Sequence, residues 1–121
     1  MLANIASCMK HMHAARYAHR DLKPANVILL PRENRWTVID FGCAARISSL
    51  APVAFSLTYS PPEIMRAFEG RETSVEVSAA VDVWALGVMA FELLTGAPAF
   101  RIVTDGVDKV HMQTFCVLRC L

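Results

Sequence analysis

Five polar or ionisable side chains, His19, Arg20, Asp21, Lys23 and Asn26, stand within the run H-R-D-L-K-P-A-N, between an apolar helical pattern and an apolar strand pattern. Polarity packed this densely against apolar chain is unfavourable unless the groups are paired or used. Asp21 is a candidate base, a carboxylate able to accept a hydrogen bond from a hydroxyl and orient it for attack. Lys23 could set an ammonium against negative charge developing on a transferred group. Asn26 offers a neutral oxygen suited to a hard cation such as magnesium. A second cluster, Asp40-Phe41-Gly42, follows further on. There the glycine permits a sharp backbone turn directly after a carboxylate.

The elements around these residues explain how the two clusters would meet. Leu2, Ile5, Ala6, Met9 and Met12 recur at three- and four-residue steps, which predicts an amphipathic helix over 2–17. Pro24 turns Lys23 away from helical geometry and makes 18–25 a shaped loop. Two β-rich runs, Asn26 to Leu30 and Trp36 to Asp40, flank the polar connector Pro31 to Arg35 and predict a hairpin. In an antiparallel hairpin centred near Glu33, Asn26 lies across from Asp40, so an amide oxygen and a carboxylate converge beside Asp21. Residues 43–62 show no sustained period and read as an ordered but irregular segment. A short helix is expected from Glu63, a loop from Gly70 to Ser78, and a helix buried on most sides that ends before Gly96, capped by Ser78 or Asp82. One more helix is expected over 107–120.

The order HRDLKPAN, DFG, PPE and DVWALG resembles the ordered signature of the eukaryotic protein kinases over roughly residues 2–100. Lysine after the leucine resembles the serine/threonine branch. The resemblance implies an α+β, kinase-like fold: a truncated, mainly helical C-terminal lobe with a small β-hairpin beside the catalytic loop. Residues 1–121 would be a partial kinase domain, without its N-terminal lobe or last helices. The resemblance implies phosphoryl transfer from ATP, with Mg2+, to serine or threonine hydroxyls of a protein substrate. It makes Asp21 the catalytic base and gives Lys23 the γ-phosphate. It makes Asn26 and Asp40 magnesium ligands, so that Lys23, Asn26 and Asp40 hold the cofactor. His19 would brace the loop, Phe41 would pack inward, and Arg20 would pair with a phosphate on the activation segment, the stretch from Asp40 to Glu63. Ser48 and Ser49 are its candidate phosphosites. Ser56 falls where a threonine is common and could bond Asp21 or Lys23. Phe55 and Pro61 replace the usual glycine and alanine. Asp82 would accept hydrogen bonds from the backbone of the HRD loop, and Glu63 would either pair with Arg101 or Arg119 or lack its partner.

Composition limits the alternatives. Net charge is +1, with 12 basic and 11 acidic residues spread along the chain, so no field favours nucleic acid. The apolar run between Asp82 and Glu92 is too short for a membrane span. The four cysteines follow no disulfide framework, and residues 1–15 form no secretory signal. An intracellular, cytoplasmic setting follows. A zinc site on His111, Cys116 and Cys120 lacks a second ligand pair. His11 and His13 fall on different helix faces and read as packing or solvent-facing residues. The glycines stand at 42, 70, 87, 96 and 106, so no glycine-rich phosphate loop is present, and the lysine before the HRD run, Lys10, lies in a helical pattern. Alone, this half of a cleft is expected to be inactive. A kinase-like scaffold that binds without catalysis is the alternative reading.

Overall fold

The computed structural model describes residues 1–54, 56–105 and 109–114, with side chains described up to Phe100. Helix α1, Leu2–Ala14, buries Ile5 and Met9. It stops three residues short of the sequence expectation because Arg16 takes φ +66°, which a right-handed helix does not continue. Tyr17–Ala18 then forms strand β1. After the loop and one 3-10 turn, Pro24–Asn26, strand β2 (Val27–Leu30) pairs antiparallel with β3 (Arg35–Val38) in the register Val27↔Val38. The expected hairpin is therefore present, with one adjustment. Ile39 lies across from Asn26 and donates its N–H to the Asn26 carbonyl at 2.9 Å, and Asp40 follows.

The segment after Gly42, read as irregular, contains two short strands. Strand β4, Ala45–Arg46, pairs with β1. Strand β5, Leu50–Pro52, pairs with β6, Ser74–Glu76, inside the stretch read as a loop. Strands of two or three residues are too short to show a period, and their partners come from distant sequence. Helix α2, Pro62–Glu69, starts on a proline at its first position, which needs no donor there.

Helix α3, Ala80–Thr95, ends on Gly96 at φ +67°, the left-handed cap that glycine adopts without a Cβ clash. Its N-cap is Ala79, with no side-chain cap, so neither expected residue occupies that position; the Ser78 hydroxyl accepts from Ala80 N at 3.1 Å just before it. The expectation that this helix is enclosed on most sides is corrected. Val81, Ala85, Val88 and Met89 are buried, but Val83 and Leu93 are more than half exposed and Leu94 is 83% exposed. Its apolar residues thus run round the helix while one face meets the core. Among the described residues no helix is long and apolar enough to cross a membrane.

Strands β7, Phe100–Asp105, and β8, Lys109–Thr114, form an antiparallel hairpin. This overturns the expected helix across 109–114, where Val110, Met112 and Thr114 alternate with polar residues at the period of a strand. Cys116 and Cys120 lie outside the described residues.

Two cores result. The larger joins Ile5 and Met9 of α1, Leu22 of the loop, Val27 and Val38 of the hairpin, and Ala85 and Met89 of α3. The smaller joins Ala18, Ala51 and Val77, with Ala45 and Ile47 packed on it. Tyr59, in a 3-10 turn at Leu57–Tyr59, reaches α3 and donates its hydroxyl to Glu92 Oε2 at 2.8 Å. Burial, and then the Glu92 hydrogen bond and charge, push the phenol up to about 12.

Asp82 is fully buried, and its two oxygens accept backbone N–H groups of the loop. Asp82→Ala strands both donors, so urea denaturation should show a loss of about 3–5 kcal/mol; a loss below about 1 kcal/mol would mean the loop is anchored elsewhere. Because the folded Tyr59 holds its proton to higher pH than the ordinary 10.0, its contribution is fully present below pH 10 and lost as pH rises towards about 12. Tyr59→Phe should remove that part of the alkaline stability loss, read as the wild-type minus variant difference across this window.

Candidate active site

The loop between β1 and β2 is fixed from below. Asp82 Oδ2 accepts His19 N at 2.9 Å, and Oδ1 accepts Arg20 N at 2.8 Å. Arg20 sits at φ +70°, a conformation unfavourable for a side-chain-bearing residue and sustained here by that carboxylate. Asp82 Oδ2 also meets His13 Nε2 at 2.8 Å, which ties the end of α1 to the same point. Sequence reasoning missed this role of His13. Its only signal is that it falls in the last turn of a helix leading into the loop.

The His19 ring is fully buried. Its Nδ1 accepts from Asp21 N at 3.3 Å, which leaves Nε2 as the N–H that donates to the Ile39 carbonyl at 3.1 Å. One imidazole thus links the backbone of Asp21 to the backbone just before Asp40.

The Asp21 carboxylate gathers three side chains. Lys23 Nζ donates to Oδ2 at 2.7 Å, the Ser56 hydroxyl donates to Oδ1 at 2.6 Å, and Asn26 Nδ2 lies 3.2 Å from Oδ2. Asn26 Nδ2 also donates to the Asp21 carbonyl at 2.8 Å, and Lys23 Nζ donates to Ser56 Oγ at 3.0 Å. Burial pushes the Asp21 carboxyl up, but the hydrogen bond and charge of Lys23, with the bonds from Ser56 and Asn26, outweigh it and hold the group below the usual range. Asp21 is therefore an anion at neutral pH.

Asp40 is exposed and adopts φ +63°, and its Oδ1 accepts Gly42 N at 3.2 Å. The sharp turn expected at Gly42 falls on Asp40. The glycine is needed for space, since a Cβ there would stand 3.2 Å from Asp40 Oδ1. Phe41, expected to pack inward, is 53% exposed, with its ring 5.3 Å from the His19 ring.

The donor set fits a hard cation. The Asn26 amide nitrogen is committed to Asp21, which leaves its oxygen as the acceptor the amide could offer, and the exposed Asp40 carboxylate keeps an oxygen beyond the one held by Gly42. Among the described residues no group of three or more His, Cys, Asp or Glu side chains could hold a metal by itself.

The outlying candidates are placed as follows. The Arg20 guanidinium is buried and donates to the Cys43 carbonyl at 3.2 Å and to the Pro52 carbonyl. Ser48 is exposed, and the Ser49 hydroxyl donates to the Arg46 carbonyl at 2.7 Å. Glu63 is exposed in the first turn of α2, and the side chains of Arg101 and Arg119 lie outside the description.

Residues 1–119 match the protein kinase domain family. The chain is 41% identical over 87 residues to serine/threonine-protein kinase SBK1 of Mus musculus, covering 70% of this chain and 20% of that protein. It is 36% identical over 117 residues to serine/threonine-protein kinase DCLK1 of Rattus norvegicus, covering 93% and 25%. It is 29% identical over 120 residues to calcium-dependent protein kinase 22 of Arabidopsis thaliana, covering 95% and 22%. The chain spans a quarter or less of the length of these relatives. With an anionic aspartate held by lysine, serine and asparagine beside an Asp-Phe-Gly turn, and with this family match over nearly its whole length, the chain belongs to the eukaryotic protein kinase family, of serine/threonine type.

Proposed function

We propose that this chain supplies the catalytic loop and metal-binding residues of an enzyme that moves the γ-phosphate of ATP to serine or threonine hydroxyls of proteins. The observation that carries the reading is the Asp21 carboxylate, kept ionised and aimed by Lys23, Ser56 and Asn26. A substrate hydroxyl donates its hydrogen bond to Asp21, and its oxygen attacks the γ-phosphorus as the bond to the leaving ADP oxygen breaks. The proton passes to the Asp21 carboxylate. The Lys23 ammonium stands beside that carboxylate, where it stabilises charge on the transferred group. The Asn26 amide oxygen and Asp40 would hold magnesium, whose chemistry there would be to neutralise phosphate charge.

In this reading residues 1–121 are the C-terminal-lobe part of a kinase domain. The glycine-rich loop and the strand lysine that cover ATP come from chain outside them. Lys10 does not substitute, since it lies on the exposed side of α1. The free thiols Cys8 and Cys43 agree with an intracellular, cytoplasmic setting. A non-catalytic scaffold would keep the fold without needing Lys23 and Ser56 on Asp21, so that network favours the enzyme.

In the full-length protein, Asp21→Asn should lower kcat by about 10²–10⁴-fold with little change in the KM for ATP. Absence of transfer by the unaltered full-length protein would leave the scaffold reading. Since Lys23, Ser56 and Asn26 hold the Asp21 carboxyl below the ordinary aspartate range, the acid limb it sets in the pH profile should lie below that range, with activity lost as pH falls through it. Asn26→Ala should raise the magnesium concentration for half-maximal rate by about tenfold or more, read from a metal titration at saturating ATP.

A further inference from the structure

The residue expected to receive a phosphate is already engaged. Arg20 is only 7% exposed, and its two terminal nitrogens rest on the carbonyls of Cys43 and Pro52, at the two ends of the segment that carries Ser48 and Ser49. A phosphate drawn to this guanidinium would compete with the two carbonyls that already hold it.

The same segment is secured along its length by a second stretch of chain. Ser48 N donates to the Val77 carbonyl at 2.9 Å, Val77 N donates to the Ser49 carbonyl at 2.9 Å, and Val53 N donates to the Thr73 carbonyl at 3.3 Å. Between these bonds β5 and β6 pair in the register Leu50↔Glu76, Ala51↔Val75 and Pro52↔Ser74. Ala51 and Val77 bury themselves against Ala18, so the pairing has its own apolar floor beneath the base of the catalytic loop. Four residues beyond Pro52 the chain delivers Ser56 to Asp21 and Lys23.

We infer that residues 73–77 act as a positioning strand that holds the activation segment in its working conformation, so that its order does not depend on phosphorylation of Ser48 or Ser49. Carbonyl oxygens on Arg20 and a strand pair do what a phosphate would otherwise do. Three facts support this: Arg20 already holds the carbonyls of Cys43 and Pro52, Val77 exchanges backbone bonds with both candidate serines beside the strand pair, and Ser49 donates its hydroxyl to the Arg46 carbonyl. The inference rests on the kinase reading only for its effect on activity.

The test uses the full-length protein in three forms: untreated, exhaustively dephosphorylated by a broad-specificity phosphatase, and carrying Ser48→Ala with Ser49→Ala. Amide hydrogen exchange of residues 48–53 and 73–77, and the rate of phosphorylation of a generic serine/threonine protein substrate, should agree across the three within about twofold. By the alternation of antiparallel pairing, Ala51 and Val75 exchange backbone bonds. Val75→Pro removes one of those donors and should expose both stretches to exchange while α1 and α3 stay protected. It should also lower the transfer rate by about 10²-fold through misplacement of Ser56. Loss of protection or of rate on dephosphorylation overturns the inference, as does a Val75→Pro protein with both unchanged. The phosphatase arm needs no substitution and so decides the matter even if the proline variant fails to fold. If the untreated protein transfers no phosphate, the kinase reading fails and hydrogen exchange alone decides the inference.

Discussion

Two backbone N–H groups, those of His19 and Arg20, lie buried with no helix or strand to pair them. Such donors are tolerated only when a strong acceptor is brought to them, and the acceptor here is a carboxylate from a helix more than sixty residues later in the chain. The buried charge of Asp82 is compensated in turn by those donors and by His13. Around this point the loop takes a backbone shape that Arg20 would not hold unaided, and Asp21, Lys23 and Asn26 are presented together on the opposite side.

The grouping of Asp21, Lys23 and Asn26 was legible because it is local. Asp21, Lys23 and Asn26 are close in sequence, with a proline between them, and the structure brings their side chains together. The approach of Asp40 followed from the strand-like runs either side of a polar connector, and it erred by one position because Asn26 belongs to a 3-10 turn before the ladder begins. Bonds across long separations were a different matter. Those of Ser56 and Asp82 came from likeness to a family, since no period or spacing within this sequence joins residue 82 to residue 19. His13 shows the limit, since nothing in its neighbourhood distinguishes it from His11, whose ring instead bonds the Ser7 carbonyl of its own helix.

Helix α3 misled for a related reason. Its sequence is apolar nearly all the way round, which on its own reads as enclosure, but the described structure gives it one covered face and leaves Leu93 and Leu94 open. The short strands were invisible for the opposite reason. Pairs such as Tyr17–Ala18 with Ala45–Arg46 have no propensity of their own and exist because Ala18 and Ala51 share a small core with Val77.

The buried imidazole of His19 carries an implication for how finely the two acidic groups are spaced. With one ring nitrogen on the amide of Asp21 and the other on the carbonyl preceding Asp40, it behaves as a gauge block of fixed length between the backbones that carry the two carboxylates. A flexible side chain, or one with a single polar end, would secure just one of the two and let the interval between them vary with thermal motion.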